Sequence, residues 1–134
     1  MQVAATDDED MAYKLGVVSG REGRAAGCNW AFAPIIDIDM NFRNPITNVR
    51  TYGSDPERVL KMARQCMKGM NEAGVAVSIK HFPGDGVDER DQHLLSSVNS
   101  LSVEEWDKTF GKVYKGLIDD GAQTVMAGHI LLPS

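Results

Sequence analysis

Residues Gly74 to His93 read GVAVSIKHFPGDGVDERDQH. A glycine opens a short apolar run that closes on Lys80 and His81. Phe82-Pro83-Gly84 then turns the chain into a loop crowded with charge. A short apolar run bounded by such breakers reads as a buried strand. The same order occurs twice more: Gly27 precedes CNWAFAPIIDI, and Gly121 precedes AQTVMAGHI. The glycines fall at 27, 74 and 121, so they are 47 residues apart in both cases.

Each glycine ends a stretch with helical character. Thr6 is placed to cap a helix with an acidic first turn (Asp7, Asp8, Glu9, Asp10), running through MAYKLGVVSGREGRAA. Ser54 with Glu57 reads as a capping box, with Pro56 in the first turn, for RVLKMARQCMKGMNEA. Ser102 with Glu105 repeats the box for VEEWDKTFGKVYKGLIDD. Met62, Met67 and Met70, together with Trp106 and Phe110, are expected in the core. Helix, glycine stop, strand and loop in series predict an α/β fold of about three parallel strands with flanking helices. The strands carry few alternating polar residues, which predicts that both sheet faces are buried.

Composition narrows the function. The chain has 134 residues, 43% apolar and 25% charged, with a net charge of -5. That is one domain's worth of ordinary globular composition. The acidic balance and the absence of a basic cluster argue against nucleic acid or an anionic membrane as partner. The longest apolar runs, such as AFAPII, are too short to span a bilayer, and the acidic N-terminus lacks the apolar segment of a secretory leader. Cys28 and Cys66 have neither metal nor disulfide spacing and are read as buried thiols.

In parallel α/β folds, ligands bind at the C-terminal ends of the strands. Those ends hold Asp37 and Asp39, then Lys80 and His81, then His129. The loops that follow hold Arg43, Arg50, Asp91 and His93. Asp91 and His93 are two apart, and a carboxylate beside an imidazole can orient it for proton transfer. Spacing alone favours an uncoupled, solvated pair, because such pairs are common. It also leaves a metal reading open through His81, Asp85, Asp88, Asp91 and His93, although no HExxH or CxxC frame supports it.

Five segments in order resemble the N-terminal catalytic domain of glycoside hydrolase family 3. GCNWAFAPIIDID is similar to the third barrel strand and its exit, and NVRTYGSDPERV to the family's arginine segment. AGVAVSIKHFPG is similar to its most specific signature. DERDQH resembles the Asp-x-His loop of the β-N-acetylglucosaminidase branch, and TVMAGHILLP the next strand end. The resemblance implies part of a (β/α)8 TIM barrel. It also implies a retaining β-glycosidase acting on β-linked N-acetylglucosamine, with β-glucosidase as the alternative and phosphorolysis as a variant. Arg50, Lys80 and His81 match residues that hydrogen-bond sugar hydroxyls; Asp91 and His93 match a dyad in which the histidine is the general acid/base. His129 matches a strand-end histidine near the sugar, with a packing role as its alternative. No cofactor and no metal are implied. Asp37 and Arg43 are read as a structural ion pair, with substrate contacts as the alternative.

Two departures from the family stand out. Its usual segment is KHFPGHG, whereas Asp85 occupies the second histidine's place here. A full barrel takes roughly 250 residues, and neither the first two strands nor the family's nucleophilic aspartate is recognised. Residues 1–134 are therefore expected to be a single partial domain: an internal barrel segment, inactive alone and prone to self-association through open sheet edges. A non-catalytic sugar-binding fragment is the alternative from another class.

Overall fold

The computed structural model describes residues 2–133. A short helix α1 (Gln2–Thr6) leads into α2 (Glu9–Ala25), then strand β1 (Trp30–Ala31) and a 3-10 turn at Asn48–Arg50. Helix α3 (Pro56–Glu72) feeds β2 (Ala76–Phe82), and β3 (Ser97–Val98) follows. The third helical stretch comprises α4 (Val103–Trp106), a π-helical turn (Asp107–Gly111) and α5 (Lys112–Asp119). It leads to β4 (Thr124–Ala127) and β5 (Ile130–Leu131). The main sheet has the order β1-β2-β4, all parallel, and β3 pairs with β5 in a separate parallel two-stranded sheet. No described helix is long and apolar enough to cross a membrane.

The glycine period has a direct structural cause. Gly27, Gly74 and Gly121 have φ of 88°, 81° and 96°, the left-handed conformation that stops a helix and that side chains resist. Each glycine thereby turns its helix into the next strand. Two of the expected caps are displaced. Thr6 does not cap the long helix: the chain breaks at Asp7, whose φ is 51°, and Asp8 becomes the cap by accepting from the Asp10 N–H at 2.9 Å. Asp55, not Ser54, caps α3, accepting from the Arg58 N–H at 2.8 Å. In both places several small polar residues compete, and the cap goes to the one directly before the first helical residue. The Ser102–Glu105 capping box forms as expected. The helix it starts is not uniform, however, because the π-helical turn interrupts it where the Trp106 ring lies against Gly111.

The core lies between α3, α5 and the sheet. Met62, Met67, Met70, Val77, Ile79, Phe110 and Leu117 are buried in it, while Trp106 is half-buried at its rim. Helices α2 and α3 cross with almost no side chain between them. A Cβ on Gly16 would meet the Cys66 carbonyl oxygen at 2.1 Å, and one on Gly69 would meet the Tyr13 carbonyl oxygen at 2.4 Å. Cys66 is buried, as expected, and burial pushes its thiol pKa up. Cys28 is exposed, because it sits outside the core just before the edge strand β1. The sheet is not covered throughout either: β2 is largely buried, but β1 and β4 are edges, with Trp30 and Val125 exposed. An open groove of about 380 Å³ borders β4 at Val125 and Ala127, and one of about 600 Å³ runs along the third helical stretch from Trp106 to Asp119; both are lined by Phe82, Tyr114 and Ile118.

Candidate active site at the strand ends

The site grows from the C-terminal end of β2. The ladder with β4 runs in register from Ser78–Thr124 to Lys80–Met126, then shifts so that Phe82 faces Ala127. His81 is the residue left over, and such an irregularity re-aims a side chain at a strand end. The Lys80–His81 and Phe82–Pro83 peptides are both cis.

Asp37, from the segment after β1, is the anchor. It is 1% exposed. Its Oδ1 accepts from the His81 N–H at 3.0 Å and the Asp85 N–H at 2.9 Å, and its Oδ2 lies 2.6 Å from His81 Nδ1. A carboxylate can only accept, so the ring holds its proton on Nδ1 and leaves Nε2 for a ligand. The expected Asp37–Arg43 pair does not form. Arg43 instead meets Glu89 on the surface at 3.4 Å, 44 residues of chain having folded Asp37 onto His81.

Lys80 and Arg50 are brought together. Partial burial, and next the Arg50 charge, hold the Lys80 ammonium below its usual pKa, with Asp37 opposing weakly. Among the described residues neither cation has an ion-pair partner, and Lys80 Nζ lies 5.9 Å from the Phe32 ring centroid. Two cations near enough to repel each other, with no ion pair among the described residues, suit an oxygen-rich ligand.

Asp91 and His93 are coupled. His93 Nδ1 lies 2.7 Å from Asp91 Oδ1, and the His93 backbone N–H donates to the same oxygen at 2.8 Å. These two bonds, the backbone one first, hold the Asp91 carboxyl below its usual pKa. The His93 side chain is 62% exposed, so its Nε2 edge is accessible. This geometry belongs to an oriented proton donor and acceptor.

Asp85, weighed from the sequence only as a metal ligand and a departure from the family segment, and Gln92, which drew no reading, tie the loop down. Asp85 is buried; its Oδ1 accepts from Asn44 Nδ2 at 2.8 Å and the Gly86 N–H at 2.7 Å. Its Oδ2 accepts from Gln92 Nε2 at 2.6 Å, and Gln92 Oε1 accepts from the His129 N–H at 3.0 Å. Asn44 is a second hub: its Oδ1 accepts from the Ile46 and Thr47 N–H groups, a side-chain turn that an Asn-Pro dipeptide signals. His129 is exposed at the end of the strand. The residues weighed as metal ligands do not converge, and no cluster of three or more His, Cys, Asp or Glu able to hold a metal ion occurs among the described residues.

Further along the loop, the Asp88 carboxylate accepts from Arg90 Nε at 2.9 Å and from the Val98 N–H at 2.7 Å. The Arg90 hydrogen bonds chiefly hold its carboxyl down at about 2, against an ordinary 3.8. A depressed carboxylate stabilises the fold fully above its unfolded value, and that contribution is lost as pH falls toward the folded one. Asp88→Asn is therefore expected to be less stable than the native chain at neutral pH, and the gap should shrink between about pH 4 and pH 2. Urea unfolding at a series of pH values measures it; a gap that stays constant down to pH 2 would contradict the assignment.

Comparison with known proteins places this geometry. The sequence model described as the glycosyl hydrolase family 3 N-terminal domain matches residues 1–134. A β-N-acetylglucosaminidase/β-glucosidase of Cellulomonas fimi is 57% identical over all 134 residues, which cover 24% of that protein. The solved structure of a β-glucoside phosphorylase, BglX, bound to 2FGlc superposes with a TM-score of 0.96 at 62% identity, covering 98% of this chain and 23% of that one. The structure of a family 3 β-N-acetylglucosaminidase from Paenibacillus sp. FPU-7 gives a TM-score of 0.95 at 35% identity, covering 99% and 25%. The chain thus spans about a quarter of the length of these relatives. Its three parallel strands and flanking helices are part of a (β/α)8-type barrel, as expected. Whole-chain match, relatives and superposition agree: the chain belongs to the glycosyl hydrolase family 3 N-terminal domain family.

Proposed function

We propose that this chain is an internal part, a single partial domain, of the catalytic barrel of a retaining β-glycosidase acting on β-linked N-acetylglucosaminides. The observation that carries the reading is the Asp91–His93 contact of 2.7 Å on an exposed loop at the C-terminal end of the sheet. His93, its Nδ1–H held by Asp91, protonates the departing glycosidic oxygen through Nε2. In the second step it takes a proton from the attacking water. Arg50, Lys80 and His81 hold the sugar hydroxyls, and His129 lies at the rim of the same face. Acid/base work of this kind, with a carboxylate nucleophile, calls for no metal or cofactor.

The nucleophile belongs to a barrel strand outside these residues, so the 134-residue chain alone is expected to be inactive. Its edge strands β1 and β4 are open, and the isolated chain is expected to self-associate through them. Light scattering on the isolated chain tests this; a monodisperse monomer would contradict it.

The full-length protein, assayed on the 4-nitrophenyl β-N-acetylglucosaminide beside the β-glucoside, is expected to prefer the N-acetylated sugar. Turnover confined to the glucoside would overturn the substrate assignment in favour of a β-glucosidase. Phosphorolysis is a second reading, supported by the 62% identity to a β-glucoside phosphorylase. A histidine acid/base carries no negative charge to repel phosphate, where a carboxylate would. A rate that rises with phosphate, releasing a sugar 1-phosphate, identifies it.

A further inference from the structure

We infer that Gln92 is a positioning residue that fixes the acid/base His93 relative to the sugar-holding His81 through a buried chain of hydrogen bonds; this rests on the function proposed above. From Asp88 to Ser96 every side chain is exposed or half-buried except that of Gln92, which is 6% exposed. The loop that carries His93 therefore has one fully buried side chain as an anchor, and it lies directly before His93 in sequence.

That anchor has two fixed ends. Gln92 Nε2 donates to Asp85 Oδ2 at 2.6 Å, and Gln92 Oε1 accepts from the His129 N–H at 3.0 Å. The amide orientation is determined, because reversing it would set oxygen against carboxylate and N–H against N–H. From Asp85 the path runs through its own N–H to Asp37 Oδ1, and from Asp37 Oδ2 to His81 Nδ1 at 2.6 Å. The space for the amide is made by Gly128: a Cβ there would lie 2.6 Å from Gln92 Oε1 and 3.2 Å from His81 Cβ. Gln92 and His81 thus share one glycine-sized gap at the strand ends.

A link of this kind sets a distance. If it is cut, Asp91 still pairs with His93, but the dyad loses its fixed height over the sugar. Proton delivery to the leaving oxygen then suffers, while sugar binding through Arg50, Lys80 and His81 is largely kept. Misplacement of a reacting group by about 1 Å can cost as much as a hundredfold in rate.

The test uses the full-length protein and β-N-acetylglucosaminides with aryl leaving groups of graded acidity. Gln92→Met keeps the length and apolar stem but removes both hydrogen bonds. Asp85→Asn keeps the shape and sets donor against donor, so it answers the question even if Gln92→Met does not fold. In both, kcat/KM on weakly acidic phenols, which need protonation to leave, is expected to fall at least about tenfold more than on 2,4-dinitrophenol, which does not. Because both variants cut one link, the double variant is expected to be no worse than the more damaged single. Equal losses across all leaving groups, or losses that add in the double variant, would overturn the inference and leave Gln92 a purely structural residue. His93→Ala run in parallel separates the two levels. If it lacks the leaving-group dependence, the acid/base reading itself falls. If it shows the dependence and Gln92→Met does not, only the positioning role falls.

Discussion

His93→Ala is expected to lower kcat/KM on an unactivated β-N-acetylglucosaminide by about 10²- to 10⁴-fold, the range for losing a positioned general acid/base. The full-length protein is the one to assay. The basis is geometric. His93 Nδ1 is committed to Asp91 at 2.7 Å, and the ring is otherwise exposed, so Nε2 is its only working nitrogen. The loss should be much smaller on a dinitrophenyl glycoside in the first, bond-breaking step, where no proton is needed for departure. Steady-state rates on the two substrates, with burst kinetics to isolate the first step, measure this. An unchanged rate on the unactivated substrate would remove His93 from the mechanism and point to an acid supplied by another part of the protein.

Asp37→Ala should be the most destabilising substitution at the strand ends. Its carboxylate accepts from two backbone N–H groups and one ring nitrogen in a buried site. Each orphaned buried donor costs about 1–3 kcal/mol, so a loss of about 3 kcal/mol or more is expected in urea unfolding. Asp37→Asn separates packing from chemistry. Its amide oxygen can still accept from the His81 and Asp85 N–H groups, so about 1 kcal/mol is the expected cost. Its amide nitrogen, however, can only donate to His81 Nδ1, which forces the proton onto Nε2. The variant should then fold but bind the sugar more weakly, with a higher KM. A KM unchanged in Asp37→Asn would mean that Nε2 of His81 does not accept from the substrate.

The glycines at 27, 74 and 121 could be read because a helix that must turn sharply into a strand needs a left-handed residue, and only glycine takes that conformation freely. From those three positions the order of helices, parallel strands and charged strand ends followed. Caps were less legible: Thr6, Asp7 and Asp8, or Ser54 and Asp55, offer equivalent oxygens, and the start of the helix decides among them. Cys28 looked buried because its run is apolar, but the run forms an edge with nothing packed outside it among the described residues. The Asp91–His93 pair was visible as a spacing, and the structure supplies its contact.

What could not be read was the polar scaffold under the site. Asp37 meets His81 across 44 residues of chain, and Asp85 meets Asn44 across 41, separations that no local pattern encodes. Asp85 stood out only as a departure from KHFPGHG and as one of the weighed metal ligands. Its burial shows why a short acceptor is useful there: it takes three hydrogen bonds, from Asn44, Gly86 and Gln92. Gln92 carried no signal at all, since an amide between an aspartate and a histidine in a charged loop looks like solvated surface.

The most direct test of the account is a crystal structure of the full-length protein with a non-hydrolysable β-N-acetylglucosaminide. The account expects the sugar hydroxyls on Arg50, Lys80 and His81, and His93 Nε2 within about 3 Å of the glycosidic heteroatom. A sugar seated elsewhere, or a His93 turned away from that atom with another acid in its place, would contradict it.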